Sequence, residues 1–251
     1  KKTVSIVNET AIGMYENVVG KKTGFLLESY DKNYDRYTFF GAQPEEIITS
    51  EKNSLVITKD DGTKEIRKGN PLELLKEYYS DFNIIKDNEE LSFSGGLVGN
   101  LGYDFVRYAE KLPDNNPDEI GIETIQLMLM TKFLLVDHVA ETLTAIILEK
   151  NDTEGEKRAY ELADELIQKA RRTPKEVERK PLIHDGKIVK QSDNLSEYSR
   201  KVEKIKEYIK EGHIFQTVLS QRWTVETKHD GFDLYKELRE LNPSPYLYYF
   251  N

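Results

Sequence analysis

Glu28 and Ser29 follow the apolar run Phe25-Leu26-Leu27, so a carboxylate and a hydroxyl stand where a short β-compatible strand would leave a core. A carboxylate anchored there can accept hydrogen bonds from an ammonium group, and such a charge-assisted bond is strong where water is excluded. From these residues alone the plainer reading is a strand end that meets solvent. Other chemistries find less support. The four histidines, His138, His184, His213 and His229, share no metal-ligand spacing and read as surface or turn residues. There is no cysteine and no G-x-S-x-G elbow. Carboxylates are plentiful, but most alternate with lysines at helical spacing, the pattern of a solvated face. Gly95, Gly96, Gly99 and Gly102 form neither a dinucleotide fingerprint nor a Walker A loop, and instead predict close packing against neighbouring backbone. Residue types and spacing alone assemble no complete active site.

The elements that would position these groups mix strands and helices. A helix is predicted over 10–19, with Ile12, Tyr15 and Val19 at helical spacing and Gly20 as its stop. A polar link at 31–35 separates the first strand from a second at 36–40, and a further strand follows at 46–49. Asp60-Asp61-Gly62-Thr63 predicts a hairpin between 55–58 and 64–67. Asn70-Pro71 reads as a helix start, with Leu72, Leu75 and Tyr79 facing inward. Asp104, Arg107 and Glu110 fall on a short helix. Strands are expected at 126–137 and 143–150, then an amphipathic helix over 154–172 with Tyr160, Ala163, Ile167 and Ala170 on one stripe.

Residues 173–192, with Pro174, Pro181 and Gly186, read as a linker. Beyond it a helix is expected over 195–211, with Ser192 or Asn194 as cap, Leu195, Tyr198, Val202, Ile205 and Ile209 on one face, and Gly212 after its end. A long strand over 214–223, a helix over 231–241, the rigid Asn242-Pro243-Ser244-Pro245 and an aromatic strand from Tyr246 complete the chain. Without regular βαβ alternation, the expected class is α+β: mostly antiparallel sheets, sandwich-like, with helices packed outside. The sequence stops inside the aromatic strand, and the natural chain is expected to continue past Asn251.

A chain of 251 residues can bury a real core, and its 38% hydrophobic and 32% charged residues predict a soluble, heavily charged surface. A net charge of −9 argues against a nucleic-acid partner, which needs a basic footprint. The most apolar segment, 125–136, is broken by Gln126, Thr131 and Lys132 and falls short of the roughly 20 residues of a membrane span. No membrane partner is expected, and a cysteine-free chain fits a cytoplasmic protein.

Several of these segments together carry a family pattern. They are Phe25-Leu26-Leu27-Glu28-Ser29, Arg36-Tyr37-Thr38-Phe39-Phe40-Gly41, and Gly95-Gly96-Leu97-Val98-Gly99 with Tyr103-Asp104-Phe105-Val106-Arg107. Lys210-Glu211-Gly212 through Phe215-Gln216 to Leu219-Ser220-Gln221-Arg222, and Asn242-Pro243-Ser244-Pro245-Tyr246, complete the set. In this order the chain resembles the large component of anthranilate synthase, component I, the chorismate-using enzyme that opens tryptophan biosynthesis. The resemblance implies that 1–172 is the N-terminal region of that component and that 193–251 begins an incomplete chorismate-binding domain.

It also implies a feedback site for L-tryptophan lined by Glu28, Ser29, Pro245, Tyr246 and Leu247. There Glu28 would take the ammonium, Ser29 would add a hydrogen bond, and Pro245, Tyr246 and Leu247 would cover the indole. The complete enzyme is expected to use chorismate, Mg²⁺ and ammonia from a glutamine amidotransferase subunit, component II. Its catalytic and Mg²⁺-binding residues are expected beyond Asn251, so no catalytic residue is named, and this chain alone is expected to be inactive. Leu247 stands where many relatives have methionine, His213 where aspartate is usual and Asn100 where tyrosine is common. Para-aminobenzoate synthase is the alternative within the superfamily. An amino-acid-binding regulatory module without activity, and an α+β scaffold without a site, are the alternatives outside it.

Overall fold

In the computed structural model, which describes residues 1–30, 36–82, 93–115, 117–173 and 186–251, the chain opens with β1 (Lys2–Ser5) and α1 (Ala11–Val18). The Thr10 hydroxyl caps α1 by accepting from the Gly13 N–H at 3.1 Å. β2 (Gly24–Tyr30), β3 (Tyr37–Ala42) and β4 (Glu46–Ser50) follow. The predicted hairpin joins β5 (Ser54–Lys59) to β6 (Lys64–Lys68), with Gly62 at φ +83° in its turn. Asn70 caps α2 (Pro71–Ser80) by accepting from the Leu72 N–H. The inward stripe of α2 is displaced from the expected one: Tyr79 is exposed and Tyr78 is buried, its hydroxyl donating to Glu46 at 2.6 Å.

β7 (Gly96–Leu101) precedes a 3₁₀ helix (Tyr103–Tyr108) that pairs Arg107 with Asp104. The apolar run expected to form one strand over 126–137 forms two, β8 (Ile125–Met130) and β9 (Lys132–Asp137), in different sheets. Thr131 marks the corner. Its hydroxyl donates to Glu45 at 3.0 Å, and Lys132 reaches the same carboxylate oxygen at 3.1 Å. β10 (Thr142–Ile147) and α3 (Thr153–Ala170) complete this part. Ala163, Ile167 and Ala170 are buried as expected, whereas Tyr160 lies outside.

Contacts divide the chain into two units, 1–177 with 239–251, and 178–238. In the first, β1-β10-β9-β3-β2-β13 form an antiparallel sheet, where β13 is Ser244–Phe250, and β6-β5-β4-β8-β7 form another. Phe25, Phe39, Phe133 and Leu135 of the six-stranded sheet pack on Val98, Met128 and Met130 of the five-stranded one. The opposite face of the five-stranded sheet buries Ile48, Leu55, Ile57 and Leu127 beneath α2. On the far side of the six-stranded sheet Tyr15 of α1 meets Phe40 and Tyr249 edge-on. The unit is the expected antiparallel sandwich with helices outside.

In the second unit β11 (Lys187–Gln191), inside the stretch read as a linker, pairs with β12 (Trp223–Glu226). Asn194 and Glu197 form a capping box at the start of α4 (Leu195–Lys210), and Gly212 follows its end at φ +80°. Contrary to expectation, 214–222 form no strand. Phe215 and Val218 are 99% and 83% exposed, so among the described residues their side chains meet no apolar face on which to seat one. α5 (Gly231–Leu241) runs as predicted, and its residues from Arg239 onward belong to the first unit. The polar link at 31–35 and residues 174–185, with Pro174, Pro181 and His184, lie outside the described residues. No helix among the described residues is long and apolar enough to cross a membrane.

Candidate functional site

β2 and β13 run antiparallel with Phe25 opposite Phe250, Leu26 opposite Tyr249, Leu27 opposite Tyr248 and Glu28 opposite Leu247. The next pair is Tyr30 with Ser244, so Pro245 and Tyr246 both stand opposite Ser29. This is a bulge, and proline suits it because it has no N–H to contribute to the ladder. The Ser244 hydroxyl closes the bulge locally by accepting from the Tyr246 N–H at 3.3 Å. Glu28, Ser29, Pro245, Tyr246 and Leu247 are therefore neighbours on one short stretch of ladder, although the two strands lie near opposite ends of the sequence. Tyr246 is 87% exposed, and Pro245 is also on the outside.

Glu28 does not meet solvent. Its side chain is 1% exposed, and the Arg239 guanidinium grips it with Nε donating to Oε1 at 2.8 Å and Nη2 to Oε2 at 3.1 Å. Such a two-pronged pair fixes both groups and compensates the buried charge. Arg239 was not singled out by the sequence reading, because it lies on a helix crowded with charges. Its signal is positional. It is an arginine, whose planar fork suits a carboxylate, set just before the rigid Asn242-Pro243-Ser244-Pro245 that leads into β13.

Thr38 of β3 is paired with Glu28 across the ladder, and cross-strand partners share a face. Its hydroxyl is 2.8 Å from Nε2 of His138, which is exposed in the turn after β9, as expected of a surface or turn residue. A hydroxyl on an imidazole could in principle be an activated nucleophile, but Thr38 is 1% exposed and out of a substrate's reach. Nearby Asp137 would be raised by burial, yet the Ala140 N–H, Arg36 and the Val139 N–H hold it below the usual carboxylate range. Among the described residues no group of three or more histidines and carboxylates is placed to hold a metal. What the arrangement shows is a buried carboxylate, Glu28, holding a cationic side chain, Arg239.

Comparison with protein families matches residues 23–251, a span that takes in both β2 and β13, to a family described as chorismate binding enzyme. The chain is 32% identical to anthranilate synthase component 1 of Acetivibrio thermocellus, covering 96% of this chain and 51% of that protein. It is 31% identical to anthranilate synthase component 1 of Bacillus subtilis, covering 99% and 51%. The crystal structure of anthranilate synthase component I from Streptococcus pneumoniae aligns with a TM-score of 0.63 at 25% identity, over 98% of this chain and 54% of that one. The chain thus spans about half the length of the curated relatives it matches.

Proposed function

Because the chain belongs to the chorismate binding enzyme family, we propose that it is the N-terminal portion of an anthranilate synthase large component and carries that enzyme's tryptophan feedback site. The observation that supports this most is the meeting of Glu28, Ser29, Pro245, Tyr246 and Leu247 on the β2–β13 ladder. A buried carboxylate suits an ammonium. Ser29 adds a hydroxyl, and the exposed Pro245 and Tyr246 with Leu247 offer a flat apolar cover for an indole.

In the complete enzyme chorismate and ammonia would become anthranilate, pyruvate and water, with ammonia delivered from glutamine by an amidotransferase subunit in the cytoplasm. Mg²⁺ would supply charge compensation for the substrate carboxylates. Among the described residues no group of three or more histidines and carboxylates forms a donor set for it, and no bond-making group is assigned to them. This chain's part is regulatory: a ligand that binds the two strands unequally in two states of the enzyme shifts the balance between them.

Calorimetric titration with L-tryptophan tests the reading. Saturable heat that disappears in Tyr246→Ala supports it, since truncating so exposed a side chain leaves the fold alone. Binding that survives in Tyr246→Ala, or no heat at millimolar ligand, would count against it. The unaltered chain, supplied with chorismate and ammonia, should form no anthranilate.

A further inference from the structure

The tryptophan reading requires an ammonium to reach Glu28, yet the carboxylate is covered and both of its oxygens are engaged by Arg239. Resting on that reading, we propose that Arg239 is a displaceable latch. Its guanidinium holds the place that the ligand's ammonium would take, and amino-acid binding exchanges one cation for the other at Glu28.

Three observations carry the exchange. First, the Glu28 side chain is only 1% exposed, so a ligand cannot make contact with the carboxylate while the fork stays in place. Second, trading a guanidinium for an ammonium leaves the buried carboxylate compensated before and after, whereas simple removal of the arginine would strand a charge in a dry site. Third, Arg239 has somewhere to go. Its side chain is 17% exposed, and its Nη1 already lies 3.5 Å from the carboxylate of Glu240, which is 61% exposed. A half-turn of the guanidinium toward water would strengthen that second pairing as the first is given up.

The latch has a functional consequence. A site closed by an internal competitor binds its ligand with an affinity reduced by the fraction of molecules in which the latch is open. It also demands a cationic amine. L-tryptophan can replace the guanidinium and N-acetyl-L-tryptophan cannot, although the two present the same indole.

The test compares the unaltered chain with Arg239→Met and Arg239→Lys by calorimetry, using L-tryptophan and N-acetyl-L-tryptophan. Removing the competitor should tighten L-tryptophan binding at least about ten-fold in Arg239→Met, and N-acetyl-L-tryptophan should not bind the unaltered chain. Equal or weaker L-tryptophan binding by a folded Arg239→Met would overturn the latch. A second measurement keeps the question open to refutation should Arg239→Met fail to fold. The Arg239 Nε–H resonance of the unaltered chain, identified by its loss in Arg239→Lys, should move on saturation with L-tryptophan. Saturable binding with that resonance unmoved overturns the exchange and spares the tryptophan site. Absence of L-tryptophan binding in every folded variant overturns both.

Discussion

Leu247 stands directly across from Glu28 on the β2–β13 ladder, and Thr38 stands across from Glu28 on its other side. One row across three strands therefore carries an aliphatic side chain, a buried carboxylate and a buried hydroxyl, with the Arg239 fork closed over the carboxylate. The row forms only when the last strand docks on the second, so the site and the edge of the sheet are made in the same event.

Glu28→Gln should destabilise the chain by about 2–3 kcal/mol, somewhat below the usual cost of breaking a buried ion pair because Arg239 retains some exposure. The double variant Glu28→Gln with Arg239→Met should recover part of the loss, since neither charge is then left buried without the other. Urea unfolding of the four proteins in the cycle measures both effects.

Gly99 of β7 approaches β8 so closely that a Cβ would lie 2.1 Å from the Gln126 carbonyl oxygen, and its φ is +155°. Gly99→Ala must push backbone away from backbone and should cost about 3 kcal/mol. Gly62→Ala, at φ +83° in the hairpin turn with open space around it, should cost about 1 kcal/mol. Midpoints of chemical denaturation will rank the two, and a smaller loss at Gly99 would mean that the β7–β8 approach is looser than described.

The Glu9 carboxyl is held down to about 2 from an ordinary 4.5, first by the Val7 N–H at 2.9 Å and further by its own N–H, Arg171 and the Asn8 N–H, against burial. A carboxyl depressed in the folded state lends stability that is present above its unfolded value and lost as pH falls toward the folded one. Stability should therefore decline between about pH 5 and pH 2. Glu9→Gln should flatten that limb by roughly 1–2 kcal/mol, a figure reduced for solvent screening. Denaturation midpoints across the acid range provide the check.

Lys169, whose ammonium donates to the Val18 carbonyl at 2.9 Å, is lowered from 10.5 to about 8, first by burial and then by the neighbouring Lys22 and Arg172 cations. The unfolded chain binds more protons than the folded one between those values, so stability should rise with pH from about 8 to 10.5. Lys169 should also acylate well ahead of the exposed lysines at pH 8, as a neutral amine is the nucleophile. Mass spectrometry after brief treatment with acetic anhydride would show it. Uniform labelling would contradict the shift.

Much of this fold is legible wherever a local device fixes the backbone. Gly62 sets the β5–β6 turn, Asn70-Pro71 starts α2, and Asn194 with Glu197 starts α4, each through contacts within a few residues. Features set by distant partners are not legible in the same way. The run 125–137 is mostly apolar, and the two polar residues Thr131 and Lys132 do not by themselves reveal that it splits there into strands of different sheets, a corner pinned by Glu45. Tyr78 displaces Tyr79 from the core because Glu46, remote in sequence, takes its hydroxyl. Residues 214–222 carry β-compatible side chains but find no sheet. At the site, residue pattern located both strands and family resemblance grouped their residues, whereas Arg239 was lost among the charges of α5, since its pairing exists only once Glu28 is beside it.

The most direct measurement is a two-dimensional amide spectrum of the isotope-labelled chain titrated with L-tryptophan. Binding at the β2–β13 ladder predicts saturable shifts concentrated at residues 26–30, 38 and 244–248, with the rest of the sandwich unmoved. Shifts confined to other strands, or none at millimolar ligand, would contradict the placement of the site at Glu28.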